Sequence, residues 1–189
     1  MPGPLRRFVR DGSRMTASLL LALVLIPSVF VITAPAGLGA PALEPALVES
    51  TAVAKGLTLR MNLDPGPLVV PGDATEIDQV IGNLTSNAVK YTPSGGTVSV
   101  TGARRGDTVV LEVSDDGLGI SEEDQVGLFR AFFRTTNPDA LRETGTGLGL
   151  SIVDNIAGRH GGSVTVSSRL HEGTTFTVDL PRTATELVE

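Results

Sequence analysis

The sequence predicts an α+β fold, a two-layer α/β sandwich in which a mixed, mainly antiparallel sheet is covered on one face by helices. Three observations support this prediction. Short segments alternate between apolar and polar residues and are separated by turn residues, as in β-strands. Two longer segments carry apolar residues at helical spacing. The 189 residues allow one domain of ordinary size with a tail, and no internal repeat is visible.

The first half of the domain is expected to contain two strands and one long helix. Residues 56–63 alternate like a strand, and 68–71 form a short second strand after a turn at 64–67. The helix is expected to begin near Asp73 or Thr75. Its apolar side comprises Ile77, Val80, Ile81, Leu84 and Ala88.

The second half is expected to contain two hairpins and a second long helix. The predicted elements are a hairpin of 97–101 and 108–114, a short helix around Phe129, a long helix at 148–159, and a hairpin of 164–168 and 174–180. Each long helix has an apolar face to bury, so both are expected to pack on one face of the sheet.

The composition excludes several kinds of functional site. The chain has no cysteine, which rules out disulfide bonds, a thiolate zinc site and a cysteine nucleophile. Its two histidines, His160 and His171, leave little for a histidine-based metal site. A formal net charge of −6 argues against a nucleic-acid-binding surface.

The first long helix carries a polar stripe. Asn83, Asn87 and Lys90 follow one another at spacings of four and three, which places them on one side of the helix, and the stripe ends at Tyr91. An asparagine carbonyl can ligate Mg²⁺, and a lysine supplies a point charge for a phosphate. The stripe suits an anionic ligand with a hard cation, although a solvated helix face has the same pattern.

Two glycine-containing segments follow the helix. Asp115 ends a predicted strand and precedes Gly117 and Gly119, so its carboxylate can accept a hydrogen bond from a purine amine; the alternative is a plain Asp-Gly turn. Residues 145–149 have glycine at every second position directly before a helix, where free N–H groups favour phosphate, unless the glycines are structural. Between them, the phenylalanine-rich segment 128–134 leads into the polar and charged stretch 135–144. This arrangement is typical of a mobile flap that is anchored by aromatic residues at one end and hinged on glycine at the other, although the phenylalanines also suit core packing.

The order of these segments resembles the catalytic and ATP-binding domain of bacterial sensor histidine kinases. The resemblance covers about 56–181 and implies a Bergerat ATP-binding fold with ATP and Mg²⁺ as cofactors. The same superfamily contains the type II topoisomerase, mismatch-repair and heat-shock chaperone ATPases. The residues that carry the resemblance are Asn83 and Asn87, Asp115-x-Gly117-x-Gly119, Phe129 and Phe132, and Gly145-x-Gly147-x-Gly149.

The resemblance also implies a role for each matching residue. Asn87 would ligate Mg²⁺, with Asn83 beside it. Lys90 would contact phosphate, and Arg134 would reach toward the γ-phosphate. The expected catalytic residues are therefore Asn83, Lys90 and Arg134.

The adenine side of the implied site is formed by other segments. Tyr91 would lie against the adenine ring, and Asp115, helped by Thr174, would accept a hydrogen bond from the adenine amino group. The glycine segments would supply the remaining ligand-binding residues, which are Gly117, Gly119, Gly145, Gly147, Leu148 and Gly149.

The residue four positions before Asn87 distinguishes branches of the superfamily. The hydrolytic members and the anti-sigma-factor serine kinases resemble each other in having glutamate there, which can act as a general base. Asn83 cannot take up a proton at neutral pH, whereas a neutral histidine acceptor already has a nucleophilic nitrogen. Asn83 therefore favours transfer to histidine. However, Glu76 lies on the same side of the helix, so it is an alternative candidate for a general base.

The expected function is donation of the ATP γ-phosphoryl group to a histidine, as in a two-component sensor kinase. The family's acceptor lies in a dimerisation hairpin ahead of this domain, yet no histidine precedes His160. The acceptor is expected in trans or from a missing upstream region, with a response regulator as downstream partner. The alternatives are an anti-sigma-type serine kinase or a degenerate kinase; an ATP-driven clamp is disfavoured by length.

Residues 1–41 differ from the rest of the chain. Four arginines precede residue 15, and no charged residue occurs from 15 to 43. The segment is interpreted as a membrane span through 15–36, a signal peptide or a mis-annotated start. The domain is expected on the cytoplasmic side, although arginines ahead of a single span would place it outside. Residues 42–55 resemble a linker, and 182–189 are expected to be a tail.

Overall fold

A computed structural model describes residues 22–26, 29–33, 43–65 and 68–182. The elements up to the first long helix are β1 (Ala22–Ile26), β2 (Val29–Thr33), α1 (Leu43–Ala54), β3 (Thr58–Leu63), β4 (Leu68–Pro71) and α2 (Ala74–Tyr91). The elements after it are β5 (Thr97–Arg105), β6 (Thr108–Asp115), α3 (Glu122–Gln125), α4 (Pro138–Leu141), α5 (Gly149–Arg159), β7 (Ser163–Arg169) and β8 (Gly173–Pro181).

The main sheet has five strands in the order β3-β5-β6-β8-β7. β3 runs parallel to β5, whereas the other three pairs are antiparallel. The long helices α2 and α5 pack against each other and on one face of this sheet. The predicted two-layer arrangement with a mixed, mainly antiparallel sheet is confirmed.

Helix α2 anchors the site to the core. Asp73 caps its N-terminus, where the carboxylate accepts a hydrogen bond from Thr75 N at 2.7 Å, and this bond lowers the pKa of Asp73. The buried side of the helix comprises Ala74, Ile77, Val80, Leu84, Ala88 and Val89. These side chains pack against apolar residues of α5 and the sheet, among them Val98, Leu111, Val113, Val153, Ile156, Phe176 and Val178. One helix side is thus fixed on the sheet, which leaves the polar side free to face outward.

The prediction of a short helix around Phe129 is wrong. Residues 126–133 form turns, and the short helices α3 and α4 lie before and after them. Phe132 has a φ of 64°, a left-handed conformation that ends any right-handed helix. Its backbone N–H donates to Gly147 O at 2.9 Å, so a contact distant in sequence holds this conformation.

The N-terminal segments also differ from the expected pattern. β1 and β2 lie within 15–36 and pair antiparallel, and β4 pairs with β2 in a second sheet of order β1-β2-β4. No helix in the described part of the chain is long and apolar enough to cross a membrane. Residues 43–54, within the segment expected to be a linker, form α1, which packs on α2 and buries Ala52. Of the expected tail, 183–189 lie outside the described residues.

Candidate functional site

A cleft of about 500 Å³ lies between the polar side of α2, the loop after β6 and the segment that leads into α5. Gly117 and Leu148 are the two predicted site residues that do not line it. The others all do, namely Asn83, Asn87, Lys90, Tyr91, Asp115, Gly119, Arg134, Gly145, Gly147, Gly149 and Thr174. Segments that are far apart in the sequence therefore meet at one place.

The polar side of α2 contributes two amides to the cleft. Asn83 and Asn87 lie one turn apart, and a Cβ on Gly149 would be only 3.1 Å from Asn83 Oδ1, so the start of α5 packs closely on Asn83. The described residues contain no group of three or more His, Cys, Asp or Glu side chains that could hold a metal ion by themselves. A single amide oxygen, together with oxygens of a bound phosphate chain, is a donor set that suits Mg²⁺.

Asp115 supplies a half-buried carboxylate to the cleft. It ends β6 beside Thr174 of β8, and its Oδ1 accepts a hydrogen bond from Gly117 N at 2.9 Å. Burial raises the pKa of Asp115 to about 6, which the hydrogen bonds from Gly117 and Thr174 only partly oppose. A Cβ at Gly117 would lie 2.6 Å from Tyr91 O, so glycine is required for this close approach. The carboxylate can therefore accept a hydrogen bond from an amine in the cleft.

Lys90 and Tyr91 form the wall of the cleft at the end of α2. Lys90 Nζ donates to Thr144 O and lies 4.8 Å from the centre of the Tyr91 ring. Its charge is therefore held between an aromatic face and a backbone carbonyl at the edge of the cleft.

Residues 134–146, here called the lid, run along the cleft from the phenylalanine-rich segment to the start of α5. The two roots of the lid are joined, because Phe132 N donates to Gly147 O. Gly147 has a φ of 74°, and a Cβ there would be 2.6 Å from Phe133 O. Within the lid, Arg134 Nη2 donates to the carbonyl oxygens of Leu141 and Glu143, at 3.2 Å and 2.7 Å.

A buried carboxylate anchors the first part of the lid. Asp124 is 4% exposed, and its Oδ2 accepts hydrogen bonds from the Thr135 hydroxyl and from both the N–H and the hydroxyl of Thr136. Burial raises the pKa of Asp124, but these hydrogen bonds outweigh it, so the pKa lies below its usual value. No motif in the sequence marks Asp124 as a functional residue.

Helix α1 also contributes residues that the sequence analysis missed. Val48 and Thr51 line the cleft. They lie three positions apart, so one face of a helix presents both, and this spacing was the available signal. The segment was expected to be a linker because 42–55 resembles the linker that leads into the catalytic domain in the kinase family.

Glu76 does not reach the cleft. Its two carboxylate oxygens contact Arg159 at 2.7 Å and His160 Nε2 at 2.9 Å, at the opposite end of α2 from Lys90. Among the described residues that line the cleft, the carboxylates are Asp115 and Glu143. The position one turn before Asn87 on α2 is thus occupied by the amide Asn83, and the open alternative of Glu76 as a base has no support in the geometry.

Comparison with known proteins identifies the class. Residues 72–184 match the family model described as histidine kinase-, DNA gyrase B-, and HSP90-like ATPase. The chain belongs to this family. Within it, the described domain is the ATP-binding catalytic domain of a sensor histidine kinase, as the relatives and solved structures below indicate.

The similar proteins are sensor kinases. The chain is 42% identical over 117 residues to the sensor-like histidine kinase SenX3 of Mycobacterium tuberculosis, covering 62% of this chain and 28% of that protein. It is 44% identical over 126 residues to the histidine protein kinase DivJ of Caulobacter vibrioides, covering 67% and 21%. The chain therefore spans less than a third of the length of these relatives.

Solved structures agree with the fold. The nucleotide-free catalytic domain of histidine kinase ThkA aligns with a TM-score of 0.63 and 31% identity, covering 74% of this chain and 89% of that one. The mycobacterial sensor histidine kinase MprB aligns with a TM-score of 0.62 and 26% identity, covering 74% and 93%.

Proposed function

We propose that this chain binds Mg²⁺·ATP in the cleft and donates the γ-phosphoryl group to a histidine of a dimerisation hairpin. The hairpin is supplied by another polypeptide or by an upstream region of a longer protein. The observation that carries this proposal is the convergence of the amide, carboxylate and glycine segments on one cleft.

The phosphate side of the site would be formed by α2 and the lid. Asn87 would hold Mg²⁺ through its amide oxygen, with Asn83 beside it. Lys90 and Arg134 both line the cleft and supply positive charge for the phosphates. Bound Mg²⁺ would neutralise phosphate charge. Positioning and charge neutralisation are the main requirements of phosphoryl transfer, so no further catalytic group is needed on this side.

The adenine side would be formed by Tyr91, Asp115 and Thr174. The Asp115 carboxylate would accept a hydrogen bond from the adenine amino group, which selects adenine over a base with a carbonyl oxygen at that position. The half-buried position of Asp115 strengthens this hydrogen bond, because less water competes for the carboxylate.

The amide Asn83, one turn before Asn87 on α2, favours a histidine acceptor. Asn83 cannot accept a proton, and Glu76 is paired with Arg159 and His160 away from the cleft. Water and a serine hydroxyl both need a base, whereas a neutral imidazole nitrogen attacks without one. The anti-sigma-type serine kinase alternative therefore has no observation in its favour.

A response regulator would be the downstream partner. The histidine kinase ThkA has been solved in complex with response regulator protein TrrA. By analogy, a receiver domain would accept the phosphoryl group from the hairpin of this system. The domain would lie on the cytoplasmic side, where ATP is present, and membrane association through 15–36 stays a prediction.

A mixing assay tests the proposal. Radiolabelled ATP, Mg²⁺, this chain and a candidate dimerisation hairpin are incubated, and the labelled hairpin is treated with acid and with base. Acid-labile, base-stable label supports transfer to histidine, whereas acid-stable label indicates serine and contradicts the proposal. Asn87→Ala is expected to abolish the label, and the matched control Asn155→Ala, which removes an amide that bonds only Ser151 O on α5, is expected to retain it.

A further inference from the structure

The end of α2 is completed by partners from outside the helix. A helix leaves its last four carbonyl groups without intrahelical partners. In α2, Ala88 O accepts hydrogen bonds from Thr92 N and the Thr92 hydroxyl, at 3.1 Å and 2.6 Å. Tyr91 O accepts from Leu118 N at 3.1 Å. Two carbonyl groups between them, those of residues 89 and 90, need another donor.

Lys55 supplies that donor. Its Nζ donates to Lys90 O at 2.6 Å and to Val89 O and Thr92 O at 3.2 Å each. An ammonium group has three N–H donors, so all three are used by the end of α2. The positive charge also lies at the negative end of the helix dipole, which adds to the stabilisation.

The same lysine joins α1 to the cleft. Lys55 follows α1 directly, and it lies seven and four positions after Val48 and Thr51, which line the cleft from the same side of the helix. Its backbone carbonyl accepts a hydrogen bond from Gly95 N at 2.9 Å, which fixes the chain just beyond the end of α2. The helix α1, Lys55 and the last turn of α2 therefore form one connected wall.

We propose that Lys55 is a positioning residue of the nucleotide site. It does not line the cleft, and acts by holding the backbone that carries Lys90 and Tyr91. Without the ammonium group, two carbonyl groups in the last turn lose their donor, and the turn is free to fray. The phosphate-binding charge and the adenine-binding ring would then lose their fixed orientation. The inference rests on the proposed function, because it assigns Lys55 to the same nucleotide site.

The absence of cysteine allows a chemical test. Lys55→Cys introduces the only thiol of the chain. Alkylation with 2-bromoethylamine restores an ammonium group at the same number of bonds from the backbone as in lysine, whereas iodoacetamide gives a neutral side chain of similar length. Affinity for Mg²⁺·ADP is measured by calorimetry at a temperature where circular dichroism shows each form to be folded.

We expect the unmodified and neutral forms to bind Mg²⁺·ADP about tenfold more weakly than the wild type, the effect of losing one charge-assisted contact. The aminoethylated form is expected to return to within about twofold of the wild type. Arg159→Met is the matched control, because it removes a basic side chain at the end of α5 that pairs with Glu76 away from the cleft. It is expected to keep wild-type affinity.

A second readout separates positioning from general stability. Tyr91 is the only tyrosine of the chain, so 3-fluorotyrosine gives one ¹⁹F resonance that reports on the last turn of α2. The neutral forms are expected to shift or broaden this resonance and Arg159→Met to leave it unchanged. If the neutral forms fail to fold, Lys55→Arg tests the role of Lys55 instead. A planar guanidinium cannot direct its N–H groups to the same three carbonyl oxygens, so the affinity for Mg²⁺·ADP is expected to fall about threefold.

The outcomes are distinct. The role of Lys55 is overturned if the folded neutral forms bind Mg²⁺·ADP with wild-type affinity. If only Lys55→Arg folds, wild-type affinity of that variant overturns it. Loss of affinity that aminoethylation does not restore also overturns it. A wild-type chain that binds no Mg²⁺·ADP rejects the proposed function instead.

Discussion

Asp115→Asn is expected to stabilise the fold while it weakens nucleotide binding. Burial raises the pKa of Asp115 from its usual 3.8 to about 6. Since each factor of ten in an acid dissociation constant is worth about 1.4 kcal/mol, the ionised carboxylate costs the folded state about 3 kcal/mol. Asparagine has the same shape and carries no charge, and its carbonyl oxygen can still accept the hydrogen bond from Gly117 N. The variant therefore avoids this cost at neutral pH.

The sign of the pH dependence follows from the raised pKa. Between about pH 4 and pH 6 the folded chain holds a proton on Asp115 that the unfolded chain has released, so stability falls as the pH rises through this window. Below pH 4 both states are protonated and the cost vanishes. The gain in free energy of unfolding from Asp115→Asn is therefore expected to be near zero at pH 4 and about 3 kcal/mol at pH 7.

Urea unfolding followed by circular dichroism at several pH values measures this gain. The matched control is Asn155→Ala, which removes an uncharged amide that donates to Ser151 O on α5. Because this change involves no ionisable group, its effect on the free energy of unfolding is expected to be the same at pH 4 and pH 7. Equal stability of Asp115→Asn and the wild type at pH 7, or a gain independent of pH, would refute the reasoning. Unchanged affinity of this variant for ATP would refute its assigned role with adenine.

Three further predictions concern the metal, the lid and the core. Asn87→Ala is expected to abolish Mg²⁺-dependent ATP binding with little loss of stability, because the side chain lines the cleft and not the core; calorimetry with and without Mg²⁺ tests this, and unchanged Mg²⁺-dependent affinity contradicts it. Asp124→Ala removes the acceptor for Thr135 and Thr136, so faster amide exchange is expected across the lid, at a cost of about 2 kcal/mol in stability; unchanged exchange by mass spectrometry would show that the anchor is dispensable. Leu84→Ala, at a fully buried position, is expected to cost about 3 kcal/mol in urea unfolding, and a loss under about 1 kcal/mol would place Leu84 outside the core.

Local signals in the sequence predict most of the main sheet and both long helices. In α2, the capping residue Asp73 and the apolar stripe lie next to each other in the sequence. Both signals are therefore local, and the helix begins within one residue of the predicted start. The same regularity predicts that Asn83 and Asn87 face away from the core. These predictions hold because the spacing of apolar residues in the sequence and the burial of one helix face both follow from the 3.6-residue turn of the α-helix.

Features set by distant contacts were not predictable. Phe132 lies three residues after Phe129, around which a short helix is predicted, yet its N–H donates to Gly147 O in a left-handed conformation. The pairing of β4 with β2 was likewise not predicted, because the β-branched and aromatic residues of β2 lie in the uncharged stretch 15–43 that is interpreted as a membrane span or signal peptide. Lys55 and Asp124 were missed as well, because their partners are backbone groups or hydroxyls that carry no motif.

The central claim is that segments far apart in the sequence form one site for Mg²⁺·ATP. Titration of the ¹⁵N-labelled chain with the Mg²⁺ complex of a non-hydrolysable ATP analogue tests it most directly. Amide resonances of residues 83–91, 115–119 and 145–149 are expected to shift together along one saturation curve, and Asn87→Ala is expected to remove the shifts. Absence of shifts, or shifts that follow separate curves for the three segments, would contradict the account.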